Sequence, residues 1–165
     1  MEKWIQLLPE CYADTLLIEM LGYKYPNHQN SINEVANVML HKGYKNQLAI
    51  GIIDEDKRQP KYFSEFETIA SADRLALKKH PDKRHFLIIL SPAFEKFIAF
   101  AAESVEISLE DYGFGKEKYF KSVCKSQQVA SNQEVKQLLN TIHQKESPPT
   151  EQIKTWIDKI NNKEF

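Results

Sequence analysis

Two acidic features carry the chemistry open to this chain. Glu10 follows a short apolar run at residues 4–8, and Asp54-Glu55-Asp56 closes a longer one at residues 48–53. Both runs read as strands, and the carboxyl edge of a parallel sheet is where α/β proteins bind ligands. Strand side chains repeat every two residues, so Asp54 and Asp56 project to one side if the chain stays extended through Asp56. Neighbouring strands lie roughly 4.8 Å apart. Glu10 therefore reaches the same site if its strand is adjacent to the other. Three carboxylates so close repel one another and do not all stay ionised without a cation. A hard divalent ion, Mg²⁺ or Mn²⁺, fits such a set, because it takes carboxylate oxygens and keeps waters for substrate phosphates. Glu10, Asp54 and Asp56 are the expected metal ligands.

The elements that must position these groups follow from apolar spacing. Ala13, Leu16, Leu17, Met20 and Leu21 recur at helical intervals, and Gly22 ends that helix. A loop with Pro26 and His28 follows, with a possible short strand near residues 23–25. Ser31 and Glu34 form a capping box before a second helix that shows Ile32, Val35, Ala36, Met39 and Leu40 on one face and stops at Gly43. Residues 48–53 are apolar without alternation, as in a central parallel strand buried on both faces. Strand, helix, helix, strand argues for βαβ units and a sheet covered by helices.

Two further runs, 75–80 and 85–90, are joined by Pro81-Asp82-Lys83-Arg84, a hairpin turn. Ser91 as N-cap and Pro92 as first helical residue then predict a helix carrying Phe94, Phe97, Ile98 and Ala101. Beyond residue 104 come three amphipathic segments, near 116–128, 131–144 and 149–162, the middle one opening on a second capping box at Ser131–Glu134. The expected organisation is an α/β domain at 1–104, with a mostly parallel, Rossmann-like sheet flanked by helices, and a helical C-terminal extension at 105–165 packed on it.

Glu10-Cys11-Tyr12-Ala13-Asp14, followed by a helix, resembles the first motif of Toprim domains: a glutamate, usually a glycine, then an aspartate that begins a helix. Bacterial primases, topoisomerases and OLD-type nucleases share it. Ile52-Ile53-Asp54-Glu55-Asp56 is similar to the second motif, a hydrophobic strand ending in Asp-x-Asp, and Ser91–Phe97 looks like a later motif of RloB-related proteins. The resemblance spans about residues 4–102. It implies Glu10 as general acid/base or metal ligand, Asp54 and Asp56 as ligands, and Asp14 either orienting the first loop or joining the metal shell. Glu95 is either a further carboxylate ligand or a glutamate favoured in a first helical turn by the helix dipole. Lys57 either neutralises charge on a phosphate or is an ordinary loop lysine. Cys11 stands where the family has glycine, and the loop at residues 27–31 is not glycine-rich.

The implied activity is Mg²⁺- or Mn²⁺-dependent phosphodiester chemistry, a nuclease acting on nucleic acid, in a bacterial defence or mobile-element module with a partner ATPase. The alternative is a catalytically silent Toprim-like module that binds a protein or nucleic acid. DNA against RNA, and monomer against homo-oligomer, stay open. A net charge of −1 gives no global pull toward nucleic acid, and the basic runs at 57–61, 78–84 and 116–125 read as solvated faces. No apolar run approaches the roughly 20 residues that span a bilayer. Absence of a signal-like N-terminus, and Cys11 and Cys124 without a CxxC unit, predict a cytoplasmic protein with no Cys-based zinc site. His28, His41, His80, His85 and His143 form no HExxH or HxxxH pair. Walker A, GxGxxG and GxSxG motifs are absent. A receiver-like domain with Asp54 as phosphoacceptor needs a lysine ending a later strand, and residues 85–90 contain none.

Overall fold

In the computed structural model residues 6–165 are described. Trp4 and Ile5 of the expected opening strand lie outside the described residues. The chain runs β1 (Gln6–Pro9), α1 (Tyr12–Met20), α2 (Ile32–Leu40), β2 (Ala49–Asp54), β3 (Glu67–Ala72), β4 (Leu75–Lys79) and β5 (His85–Leu90). Four helices complete it: α3 (Phe94–Glu103), α4 (Glu117–Lys125), α5 (Gln133–Gln144) and α6 (Pro148–Asn161).

The five strands form one sheet in the order β1-β2-β5-β4-β3. Strands β1, β2 and β5 are parallel, whereas β4 and β3 return antiparallel. The sheet is therefore mixed, not mostly parallel. Connection length decides this, because parallel neighbours need a crossover of a dozen or more residues. The expected hairpin turn at Pro81–Arg84 is far shorter, and the β3–β4 link is shorter still. Strand β3 escapes sequence reading because nearly all its positions are exposed at the sheet edge, leaving no apolar alternation to detect.

Every residue of β2 and β5 is buried, which accounts for their unbroken apolar character. On one face Ile50, Ile52, Phe86 and Ile88 pack with Leu17, Phe97, Leu138 and Trp156. On the other, Ala49, Ile53, Leu87 and Ile89 pack with Val35 and Met39 of α2 and with Tyr62, Phe63 and Phe66. The C-terminal helices thus belong to the same apolar core as the sheet. No helix among the described residues is long and apolar enough to cross a membrane.

Local signals hold with adjustments. Ser31 Oγ accepts from the Glu34 amide, but the Glu34 carboxylate reaches the Asn30 amide instead of Ser31. Helix α3 starts two residues later than expected, with Ala93 as its N-cap and no side-chain cap bond. Asn132, not Ser131, caps α5 by accepting from the Val135 amide. Residues 23–25 form no strand. Instead the amides of Asn27 and Gln29 donate to the carbonyls of Leu7 (2.8 Å) and Pro9 (2.9 Å), so this loop covers the outer edge of β1.

At Gly51 helix α2 packs directly on the sheet. A Cβ there would lie 2.9 Å from Leu87 Cδ2 and 2.9 Å from Val35 Cγ1. Gly51→Ala is expected to destabilise the fold by about 1–3 kcal/mol. A urea midpoint equal to that of wild type would show that α2 does not rest on this position.

Candidate metal centre

Strands β1 and β2 are hydrogen-bonded neighbours, with Pro9 paired to Ile52. The register continues one residue further, where the Glu10 amide donates to the Ile52 carbonyl at 3.1 Å. The adjacency that the acidic pair requires is therefore present, and the Asp54 amide faces Glu10 Oε2 at 3.4 Å.

Cys11 turns the chain from β1 into α1. Its extended backbone (φ −145°, ψ 173°) places it as N-cap, and its sulfur accepts from the Asp14 amide at 3.5 Å. The thiol in turn donates to Asp14 Oδ2 at 3.2 Å. This is an N-cap built with sulfur in place of a hydroxyl, with the reciprocal bond donated by the thiol itself. It fixes Asp14 in the first turn of α1, where the helix dipole favours negative charge. Glycine is not needed at this corner, because the backbone of Cys11 lies in a region open to every residue.

Glu10, Asp14 and Asp54 each offer a carboxylate oxygen, and these oxygens lie within 4.8 Å of one another. All three residues are buried, at 1%, 0% and 6% exposure. Asp14 Oδ1 and Asp54 Oδ1 are enclosed and meet no hydrogen-bond donor. Among the described residues one cation attends the group: Lys57 Nζ stands 3.1 Å from Glu10 Oε1. A single ammonium does not balance three carboxylates. Burial raises the pKa of Glu10, partly offset by Lys57. Burial, with the charges of Asp54 and Glu10, holds Asp14 well above the usual carboxylate range. Asp54 is pushed up to about 7 by burial and by Glu10. Burial opposes the charge on Lys57, but Glu10 outweighs it and the net shift is upward.

Such a set fits a hard divalent cation. Three carboxylates converge, two of their oxygens lack donors, and the residual charge is negative. Asp54 also lines a cavity of about 430 Å³, together with His28, Lys57, Glu95 and the segment 124–127 at the end of α4. The C-terminal helices thereby wall the same space as the sheet edge.

The expected site residues divide. Glu10 and Asp54 meet as foreseen, and Asp14 joins them as a full member of the cluster. Asp56 does not. Strand β2 ends at Asp54, and the chain then follows the β5–α3 turn, the Glu55 amide donating to Leu90 and the Asp56 amide to Pro92, each at 2.9 Å. That bend carries Asp56 to an exposed position outside the cluster. Its charge still acts on Glu10 and Asp54. Glu95 is buried in the first turn of α3 and lines the cavity without joining the three oxygens. Lys57 is exposed in the loop after β2, and its ammonium pairs with Glu10. Cys11 as cap and His28 as cavity wall were not singled out by sequence reasoning. A sulfur N-cap and a lone loop histidine carry no spacing signature.

Comparisons with protein-family models, with curated proteins and with solved structures found no match to this chain.

The raised pKa of Asp54 sets the sign of a stability effect. Between its ordinary value of 3.8 and about 7, the folded protein holds a proton that the unfolded chain has released. Stability contributed by this group is therefore present at low pH and lost as pH rises through that window. Asp54→Asn, which removes the charge, is expected to be more stable than wild type at pH 8 by on the order of 1–3 kcal/mol. Equal melting temperatures at pH 8, or a wild type that gains stability from pH 4 to 7 relative to the variant, would contradict this.

Proposed function

We propose that this chain is a Toprim-like domain performing divalent-metal-dependent phosphodiester chemistry on nucleic acid, with Mg²⁺ or Mn²⁺ held by Glu10, Asp14 and Asp54. The observation that carries the reading is the pair of buried, donorless oxygens, Asp14 Oδ1 and Asp54 Oδ1, inside a carboxylate cluster spanning 4.8 Å. The order of the acidic residues along β1, α1 and β2 supports the Toprim-like assignment. When bound, the metal supplies positive charge against the phosphate and polarises its oxygen.

The chain's own residues supply the remainder. Lys57, 44% exposed at its side chain, reaches both Glu10 and the cavity, and it offsets charge building on a phosphate. Lys125 adds a second positive group from the opposite wall. Asp14 is oriented by Cys11, so its free oxygen is held in one direction. Glu10, with its raised pKa, serves as ligand or proton carrier beside Lys57.

Asp54→Asn is expected to lower metal-dependent cleavage of labelled single- and double-stranded DNA and RNA by at least about 100-fold. It should also abolish Mn²⁺ binding measured by titration calorimetry. A folded variant cleaving at the wild-type rate would remove Asp54 from the chemistry. The Lys57–Glu10 pair favours one second reading, in which the ammonium serves as resident counter-ion of a silent binding module. That reading requires a wild type that binds no Mn²⁺, and a Lys57→Ala variant that does.

A further inference from the structure

The basic run at 116–125 folds into a helix with one charged side. Phe120 and Cys124 are the buried residues of α4, and the Phe120 ring packs on Phe114 with centroids 4.9 Å apart. Lys118, Lys121 and Lys125 recur at i, i+3 and i+7, so they share one face, and all three are exposed. At roughly 100° per residue, that face lies opposite Phe120 and Cys124. Among the described residues no carboxylate pairs with any of the three ammonium groups. Glu117, the one acid of the helix, pairs with Lys96 instead.

The spacing suits a polyanion. Seven residues of helix at 1.5 Å each put Lys118 and Lys125 about 10 Å apart along the axis. One strand of a nucleic-acid helix presents a negative charge every ~3.4 Å of axis, so the row spans about three phosphates. It also has a direction. Lys125, its last member, lines the cavity that Asp54 and Lys57 line, and Ser126 and Gln127 continue that wall. The end of α4 feels the acidic cluster: after burial, the charges of Glu95, Asp14 and Asp54 push the Cys124 thiol up. Near the start of the helix, Tyr119 is 54% exposed. Its ring rests against Phe114, with centroids 6.0 Å apart and planes inclined by 32°. An aromatic face left in water beside cations offers a platform to an unpaired base, which a duplex keeps inside its own stack.

We propose that α4 is a track for single-stranded nucleic acid, on which Lys118 and Lys121 hold phosphates, Tyr119 stacks a base, and Lys125 leads the strand into the cavity beside Asp54. That the strand is a substrate rests on the phosphodiester reading above; that it binds does not.

The test is fluorescence anisotropy of labelled oligothymidylate and oligouridylate, each of about 12 nucleotides, with the full chain, in chelator and across a salt series. Wild type is expected to bind with an affinity that falls as salt rises. Lys118→Ala/Lys121→Ala is expected to bind about 10- to 50-fold more weakly at about 0.1 M salt, with a log–log salt slope shallower by about 1.4. Tyr119→Ala is expected to lose about 5- to 150-fold with the slope unchanged, whereas Tyr119→Phe keeps the wild-type affinity. No binding by wild type overturns the track. So does a double variant with the wild-type slope, a duplex of the same length bound at least as tightly, or displacement by polyglutamate of matched charge. Mn²⁺ titration of the same samples without chelator separates the two readings. A wild type that binds the oligonucleotides as described but takes no Mn²⁺ supports the track and removes the phosphodiester reading.

Discussion

Burying three carboxylates with one ammonium is the constraint around which this structure is arranged. Glu10, Asp14 and Asp54 are removed from water, and among the described residues Lys57 alone offsets them. Protein interiors tolerate charge only when it is paired or coordinated. The imbalance shows in the raised pKa of all three carboxyls, each pushed up chiefly by burial. In the proposed function a divalent cation would relieve that state. Affinity for such an ion and proton release are then two sides of one equilibrium.

The rest of the fold holds the repelling groups in place. Register between β1 and β2 sets Glu10 opposite the end of β2. Apolar packing on both faces of β2 fixes that strand, so Asp54 does not withdraw into solvent. The sulfur cap at Cys11 ties Asp14 to the corner. Helices α1, α3, α5 and α6 share one apolar cluster with the sheet. At the end of α4, the segment 124–127 walls the cavity beside Asp54. A tail that reads as an appendage thus contributes to the site.

What could be read from sequence was what depends on local periodicity and caps. The two helices after β1, the buried strand 49–54 and the hairpin 75–90 all have apolar patterns that neighbouring residues determine. Glu10 and Asp54 were legible because each ends such a strand. Asp56 was misplaced because its direction depends on the Glu55 amide bond to Leu90 and its own amide bond to Pro92, partners far along the chain. The exposed strand β3 and its antiparallel pairing with β4 were missed for a related reason: edge strands are defined by pairing, not by burial. Most opaque was His28. Its stacking on Tyr12 and its bond to Thr15 are facts of three-dimensional packing with no counterpart in spacing.

A crystal of the protein grown with Mn²⁺, with the ion located by its anomalous scattering, tests the central claim most directly. The account predicts one strong peak within coordination distance of Glu10, Asp14 and Asp54, with Lys57 displaced from, or sharing, its contact with Glu10. A well-ordered site with no peak between these three carboxylates, at Mn²⁺ concentrations that saturate ordinary carboxylate sites, would contradict it.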